Sequence, residues 1–222
     1  MRRLEKHTGQ RRDRASGFSL IEIAAVLSIV LILASITFIS LMPVLKQQRV
    51  TNAYNTTLSA MRLARDNAVS QRTSYSVTFS TAVTPNTITV APTLALGFQG
   101  ALGAQTYQLP IRVSFDAEPA VASTPTPDSY GTGVNAIDFG WTANGFGTGG
   151  QKTLYFCPDG SAQDAEGIGG QCAGSWDGGV VYIARPGEAL SSRAVTLWGG
   201  TGRIRGWRLY SNGVGGYQWT RQ

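Results

Sequence analysis

Apolar residues run almost unbroken from Ile23 to Leu41 (IAAVLSIVLILASITFISL), and polar residues dominate on the N-terminal side of that run. About 20 apolar residues span the hydrocarbon of a bilayer, so the pattern predicts a membrane helix. Beyond Pro43 the apolar positions thin out to spacings of three and four: Val50, Tyr54, Leu58, Met61, Ala64 (or Arg65) and Ala68. Lys46, Gln47, Arg49, Asn52, Asn55, Arg62 and Asp66 fall on other faces. This is a single amphipathic stripe. The helix is therefore expected to continue past the membrane, to pack one side on a globular head, and to end between Ser70 and Thr73. Pro43 lacks an amide donor and is expected to kink or locally open it.

After the helix the period changes to short runs of apolar and β-branched residues separated by Gly, Pro, Asn and Asp. The predicted strands are Ser74–Ser80, Thr87–Ala91, Thr106–Phe115, Ala136–Gly140, Lys152–Pro158, Val180–Ala184, Ala194–Leu197, Arg203–Tyr210 and Tyr217–Thr220. Two stretches read as surface loops: the Pro/Ser/Thr-rich segment Glu118–Gly133 and the Gly-rich segment Asn144–Gln151. The predicted class is α+β, a long N-terminal helix packed on a mainly antiparallel sheet. The expected organisation is a leader over 1–17, a membrane helix over 18–45, its amphipathic continuation over 46–73 and a β-rich head over 74–222. There is no internal repeat and no clear second domain.

Charge adds a topology. The formal net charge is +6. Arg2, Arg3, Lys6, Arg11, Arg12 and Arg14, set against Glu5 and Asp13, put most of it before the apolar run. Basic residues ahead of a span stay cytoplasmic, so the head is expected in the periplasm, on a single-pass protein of the inner membrane. The high isoelectric point therefore does not by itself imply a nucleic-acid partner. Cys157 and Cys172 suit an oxidising compartment, where disulfides persist. A bridge would close a short Gly/Asp-rich loop and contribute roughly 3 kcal/mol; the alternative is two unrelated thiols.

Glu22 stands at the start of the apolar run, where a carboxylate is costly in lipid and marks a functional site by default. A cleaved secretory signal has a shorter apolar region and a small-residue cleavage site, whereas Met42-Pro43-Val44-Leu45 follows here. A plain anchor leaves Glu22 unexplained, unless the carboxylate is merely hydrated at the interface. The stretch Gly17-Phe18-Ser19-Leu20-Ile21-Glu22 resembles the signal of type IV pilins and of the pseudopilins of type II secretion. The resemblance implies cutting after Gly17 by a prepilin peptidase, N-methylation of Phe18, and Glu22-guided assembly with other pilins or pseudopilins in the membrane. Further segments, LSAMRLARDNAVSQRTSYSVTF, LYFCPDGSA and SRAVTLWGGTGRIRGWRL, resemble the GspH/FimT branch of that superfamily. Residues from about Pro85 to Ala136 match no motif.

The chemistry of catalysis is thin. The only histidine, His7, lies in the leader, so Ser-His or Cys-His catalysis and a His-ligated metal are not expected in the mature chain. Asp159, Asp164, Glu166 and Asp177 flank the cysteine loop, but their spacing matches no calcium loop, and they read as solvated acids. Residues 145–150 lack the lysine and context of a phosphate loop. No enzyme activity and no cofactor are expected.

The C-terminal stretch is more distinctive. After Glu188 there is no acidic residue, while Arg193, Arg203, Arg205, Arg208 and Arg221 alternate with Trp198, Trp207, Tyr210, Tyr217 and Trp219. Strand alternation puts Arg203 and Arg205 on one face, where two guanidiniums suit successive phosphates and the aromatics suit stacked bases. Gly202-Arg203-Ile204-Arg205 matches a G-R-x-R motif that, in FimT-like members, is associated with DNA capture. The resemblance thus implies DNA as a possible partner through Arg203, Arg205 and Arg208. The competing reading is a structural or subunit-contact hairpin.

Overall fold

The structure is a computed structural model that describes residues 18–93, 103–142, 145–164, 172 and 174–222. Residues 1–17, where a leader ending at Gly17 is expected, lie outside the described residues. The chain divides into two compact units between Val44 and Leu45.

Helix α1 (Leu20–Gln71) runs through both units and ends inside the predicted window. Pro43 lies within it and does not end it. In the first unit the described apolar side chains are exposed, from Leu20 to Val44. The helix is long and apolar enough to cross a membrane. Its hydroxyls turn back onto its own backbone: Ser28 Oγ donates to the Ala25 carbonyl, Ser35 Oγ to Leu31 and Thr37 Oγ1 to Leu33, at 2.7, 2.7 and 2.9 Å. That arrangement meets the hydrogen-bonding need of polar groups where no water is present.

In the second unit the predicted stripe is the buried face: Val50, Tyr54, Leu58, Met61, Ala64 and Ala68 are joined by Ala53, Thr57 and Ala60. The head consists of two antiparallel sheets. The first has the order β3-β2-β1-β7-β8, from β1 (Tyr75–Ser80), β2 (Thr87–Pro92), β3 (Gln105–Gln108), β7 (Thr153–Phe156) and β8 (Ala162–Gln163). The second has the order β12-β11-β10-β9-β5-β6, from β5 (Ile137–Thr142), β6 (Gly145–Gln151), β9 (Gly179–Ala184), β10 (Arg193–Trp198), β11 (Arg203–Ser211) and β12 (Tyr217–Arg221). The short β4 (Ser114–Phe115) pairs with β9 beside that path. One core joins the α1 stripe to inward residues of both sheets, among them Val77, Phe79, Leu154, Phe156, Phe139, Val181, Ile183, Val195 and Leu197.

Three expectations change. Thr106–Phe115 is two strands in two sheets, because the chain turns between them: Pro110 has no donor, Arg112 adopts φ +65°, and the Val113 amide bonds the Pro110 carbonyl at 3.2 Å. Asn144–Gln151 is largely strand β6 and not a loop. There Gly149 lies so close to Phe139 that a Cβ would stand 2.8 Å from its carbonyl oxygen, so glycine permits the pairing. Glu118–Gly133 is not a free loop either. Helix α2 (Pro119–Ala122) and a 3₁₀ turn at Pro127–Ser129 carry Val121 and Tyr130 onto Val180, Tyr182 and Ala194 of the second sheet, with Trp207 and Trp219 packed alongside. This strap covers the sheet face opposite the helix. Strands β9 and β10 are therefore buried on both faces, which is why neither shows the alternation of a half-buried strand.

Candidate functional site: the helix start and the β10–β11 turn

Phe18 is 79% exposed. The helix begins two residues later with Glu22 in its first turn, where the Ile23 amide donates to the Ser19 carbonyl at 3.2 Å. An acid in that turn faces the positive end of the helix dipole. Glu22 is exposed, as are the apolar side chains around it.

Cys157 and Cys172 form a disulfide, with Cα atoms 5.8 Å apart. The bridge borders the turn Asp159–Ser161, where Asp159 Oδ1 accepts from the Ser161 amide (2.8 Å) and hydroxyl (2.6 Å). Those bonds hold the Asp159 carboxyl below its usual range. Asp164 Oδ1 accepts from the Ser175 amide at 3.1 Å. Asp177 departs from the reading of solvated acids, since it is fully buried. Its Oδ1 accepts from the Gly140 amide at 2.6 Å, and burial pushes its carboxyl up to about 7. Glu166 lies outside the described residues. No group of acids, histidines or cysteines among the described residues is placed to hold a metal ion.

The turn between β10 and β11 (Gly199–Gly202) is fastened to α1. Arg65 donates from Nε to the Gly160 carbonyl (3.1 Å) and from Nη2 to the Thr201 carbonyl (3.2 Å). Gly202 sits at φ +59°, and a Cβ there would overlap the Gly160 carbonyl and stand 2.8 Å from Arg65 Nε. Gly206 is a second close approach, because its Cβ would overlap the Tyr54 hydroxyl. Arg65, Gly160 and Gly202 come from the three segments singled out in the sequence, so those segments meet at one point.

Arg203 and Arg205 line one cavity of about 230 Å³, together with Asp128, Tyr130, Trp198 and Thr201. The common face expected from alternation is therefore present. Arg205 is not free, however: its Nη1 pairs with Asp128 Oδ1, and Asp128 Oδ2 accepts from Thr196 Oγ1 at 2.6 Å. Arg203 is exposed and has no ion pair among the described residues. Arg208 falls on the other face. It is the cross-strand partner of Arg193, and its guanidinium lies 4.8 Å from the centre of the Tyr210 ring. Burial, with the like charge of Arg208 second, lowers the Arg193 pKa to about 10. Burial also raises the Tyr130 hydroxyl to about 12, with the Asp128 charge second. The structure thus brings Arg203 and Arg205 together, occupies Arg205, and separates Arg208.

Sequence reasoning missed Asp128 and Tyr130. Asp128 lies 68 positions from Thr196 and 77 from Arg205, inside a segment whose composition signals only a loop. The chain matches no protein-family model, no curated protein and no solved structure.

Proposed function

We propose that this chain is a minor subunit of a membrane-anchored filament, a type II secretion pseudopilus or a type IV pilus. A prepilin peptidase cuts it between Gly17 and Phe18, Phe18 is N-methylated, and the helix remains in the inner membrane with the head in the periplasm until assembly. The observation that carries this reading is Glu22, the lone carboxylate of the exposed, otherwise apolar stretch of α1 from Leu20 to Val44. In lipid such a group needs a positive partner or a proton. The new amine of Phe18 on a neighbouring subunit supplies one. The role is one of assembly and contact, with no reaction carried out by the head.

The test is the N-terminus of the protein extracted from membranes of its native host, read by mass spectrometry. The expected N-terminal peptide begins at Phe18 and carries one methyl group. A chain that keeps Met1, or is cut elsewhere, overturns the reading. A second reading, a DNA-binding subunit, draws support from exposed Arg203 beside Trp198, and draws less from Arg205, which Asp128 neutralises. It predicts DNA affinity that falls with salt and weakens in Arg203→Gln. Affinity indifferent to that change removes it.

A further inference from the structure

Four connections of the head meet at one pole. The bond from Arg65 to the Thr201 carbonyl and the contact of Gly206 with Tyr54 show that β11 runs back along α1 toward Leu45, where the head unit begins. The five residues of strand from Gly206 to Ser211 cover about 17 Å. Leu45 lies nine residues before Tyr54, about 14 Å of helix. The β11–β12 turn over 212–216 therefore reaches the level of Leu45. The Leu209 amide donates to the Ser192 carbonyl at 3.2 Å, which sets the β9–β10 connection over 185–192 beside the end of β11. Ser114 pairs with Ala184, so residues 109–113 ahead of β4 lie alongside. The Leu109 amide donates to the Asn86 carbonyl at 2.9 Å, which adds the β1–β2 turn over 81–86. Each connection holds one apolar side chain in water: Val83, Ile111, Leu190 and Val214 are 50 to 88% exposed. Apolar groups gathered on a surface mark an interaction site.

The charge around these tips is one-sided. Lys46, Arg112 and Arg208 have no ion pair among the described residues, and Lys46 and Arg112 are exposed. The only acid on the four connections, Glu188, pairs with Arg185 at 2.8 Å. Glu118, which reaches the Gly187 amide at 2.7 Å, is buried. Arg208 keeps a buried Nε without a hydrogen-bond partner and lies over the ring of exposed Tyr210. A tyrosine, apolar with a polar tip, suits the boundary between lipid and water. Apolar tips among cations fit a bilayer surface that carries anionic headgroups. Chain continuity favours that partner over a soluble one. Leu45 directly follows the exposed apolar stretch of α1, about 6 Å of helix beyond Leu41, so the head unit begins within that distance of any bilayer α1 spans. We propose that this pole docks on anionic phospholipid, with Val83, Ile111, Leu190 and Val214 in the headgroup–acyl boundary and Lys46, Arg112 and Arg208 on lipid phosphates. The proposal rests on α1 lying in the membrane and goes beyond it, since an anchor alone leaves the head free of the surface.

The full-length protein is reconstituted in vesicles of phosphatidylcholine, with and without phosphatidylglycerol. Cys157 and Cys172 are joined in the disulfide, so one added cysteine takes a nitroxide label. The labelled variants are Leu190→Cys and Val214→Cys at the pole, Thr201→Cys at the opposite end of β11, and Ile32→Cys in the apolar stretch. Relaxation by oxygen, which concentrates in lipid, is compared with relaxation by a water-soluble nickel chelate. With phosphatidylglycerol present, the oxygen-to-nickel ratio at positions 190 and 214 is expected to be several-fold above that at 201. Omitting phosphatidylglycerol, or combining Lys46→Gln with Arg112→Gln, is expected to lower it by about twofold or more. Both of those side chains are exposed, and an unchanged spectrum at 201 shows that the head is still folded. Lipid at position 32 with water at 190 and 214 overturns the proposal and leaves the membrane anchor standing. Water at position 32 removes the anchor, and the proposal with it. Shielding of 190 and 214 from both reagents overturns it in favour of a contact between copies of the chain. A ratio indifferent both to phosphatidylglycerol and to the double substitution also overturns it.

Discussion

Gly206 has no room for a side chain. The Tyr54 hydroxyl occupies the place where a Cβ would project, and Tyr54 is itself buried. Gly206→Ala must displace the Tyr54 ring from its packing, and it is expected to lower stability by about 1–3 kcal/mol, measured as a shift in denaturant midpoint. A change smaller than the error of that measurement would mean that Tyr54 swings aside freely. Asp177 sets a pH dependence. Its folded carboxyl keeps its proton up to about pH 7, whereas the unfolded one releases it near 3.8. Folding binds a proton between those values, so stability from this group is full below 3.8, is lost as pH rises, and levels off above 7. The slope is at most about 1.4 kcal/mol per pH unit. Asp177→Asn keeps an acceptor for the Gly140 amide and is expected to flatten the profile between pH 5 and 7. An unchanged profile would assign the slope to other groups.

Elements are joined by a few long-range bonds at defined points. Arg65 ties α1 to the turn at Gly160 and to the turn at Thr201 with one guanidinium. The disulfide closes the loop that contains Gly160. Replacing Arg65 with Met keeps much of the apolar stem but leaves two carbonyls without their donor. The expected loss is about 1–3 kcal/mol, together with faster amide exchange at Gly202, whose N–H bonds the Gly199 carbonyl at 3.3 Å. Unaltered exchange there would show that the turn holds itself. The strap over the second sheet works in the same way. Glu118 Oε1 accepts from the Gly187 amide at 2.7 Å at one end, and Asp128 takes Arg205 and Thr196 at the other.

For the whole molecule, the two units carry different demands. Residues of the first expose a continuous apolar helix with one carboxylate, which calls for lipid or for other helices. The second buries its half of α1 in a core of its own. Glu22→Ala is expected to leave membrane insertion and head stability intact and to reduce co-purification with partner subunits several-fold. Membrane fractionation and pull-down, run side by side, separate these. Normal pull-down by the variant would remove the carboxylate from assembly.

The sequence alone determined what depends on local period and composition. These are the membrane-length run, the α1 stripe from Val50 to Ala68, the end of the helix near Gln71, most strand positions, and the α+β class. Each follows from spacings of three, four or two, and from chain-breaking Gly and Pro, within a dozen residues. Only the tertiary structure decided that the strands divide between two sheets. It alone showed that the apparent loop Glu118–Gly133 is a cover, that Gly-rich 145–151 is a strand, that Asp177 is buried, and that Asp128 meets Arg205. Such facts depend on which distant segments close on one another. A local pattern does not encode them, because a loop residue and a capping residue can have the same composition, and an arginine on a strand looks the same whether its carboxylate partner is present or absent.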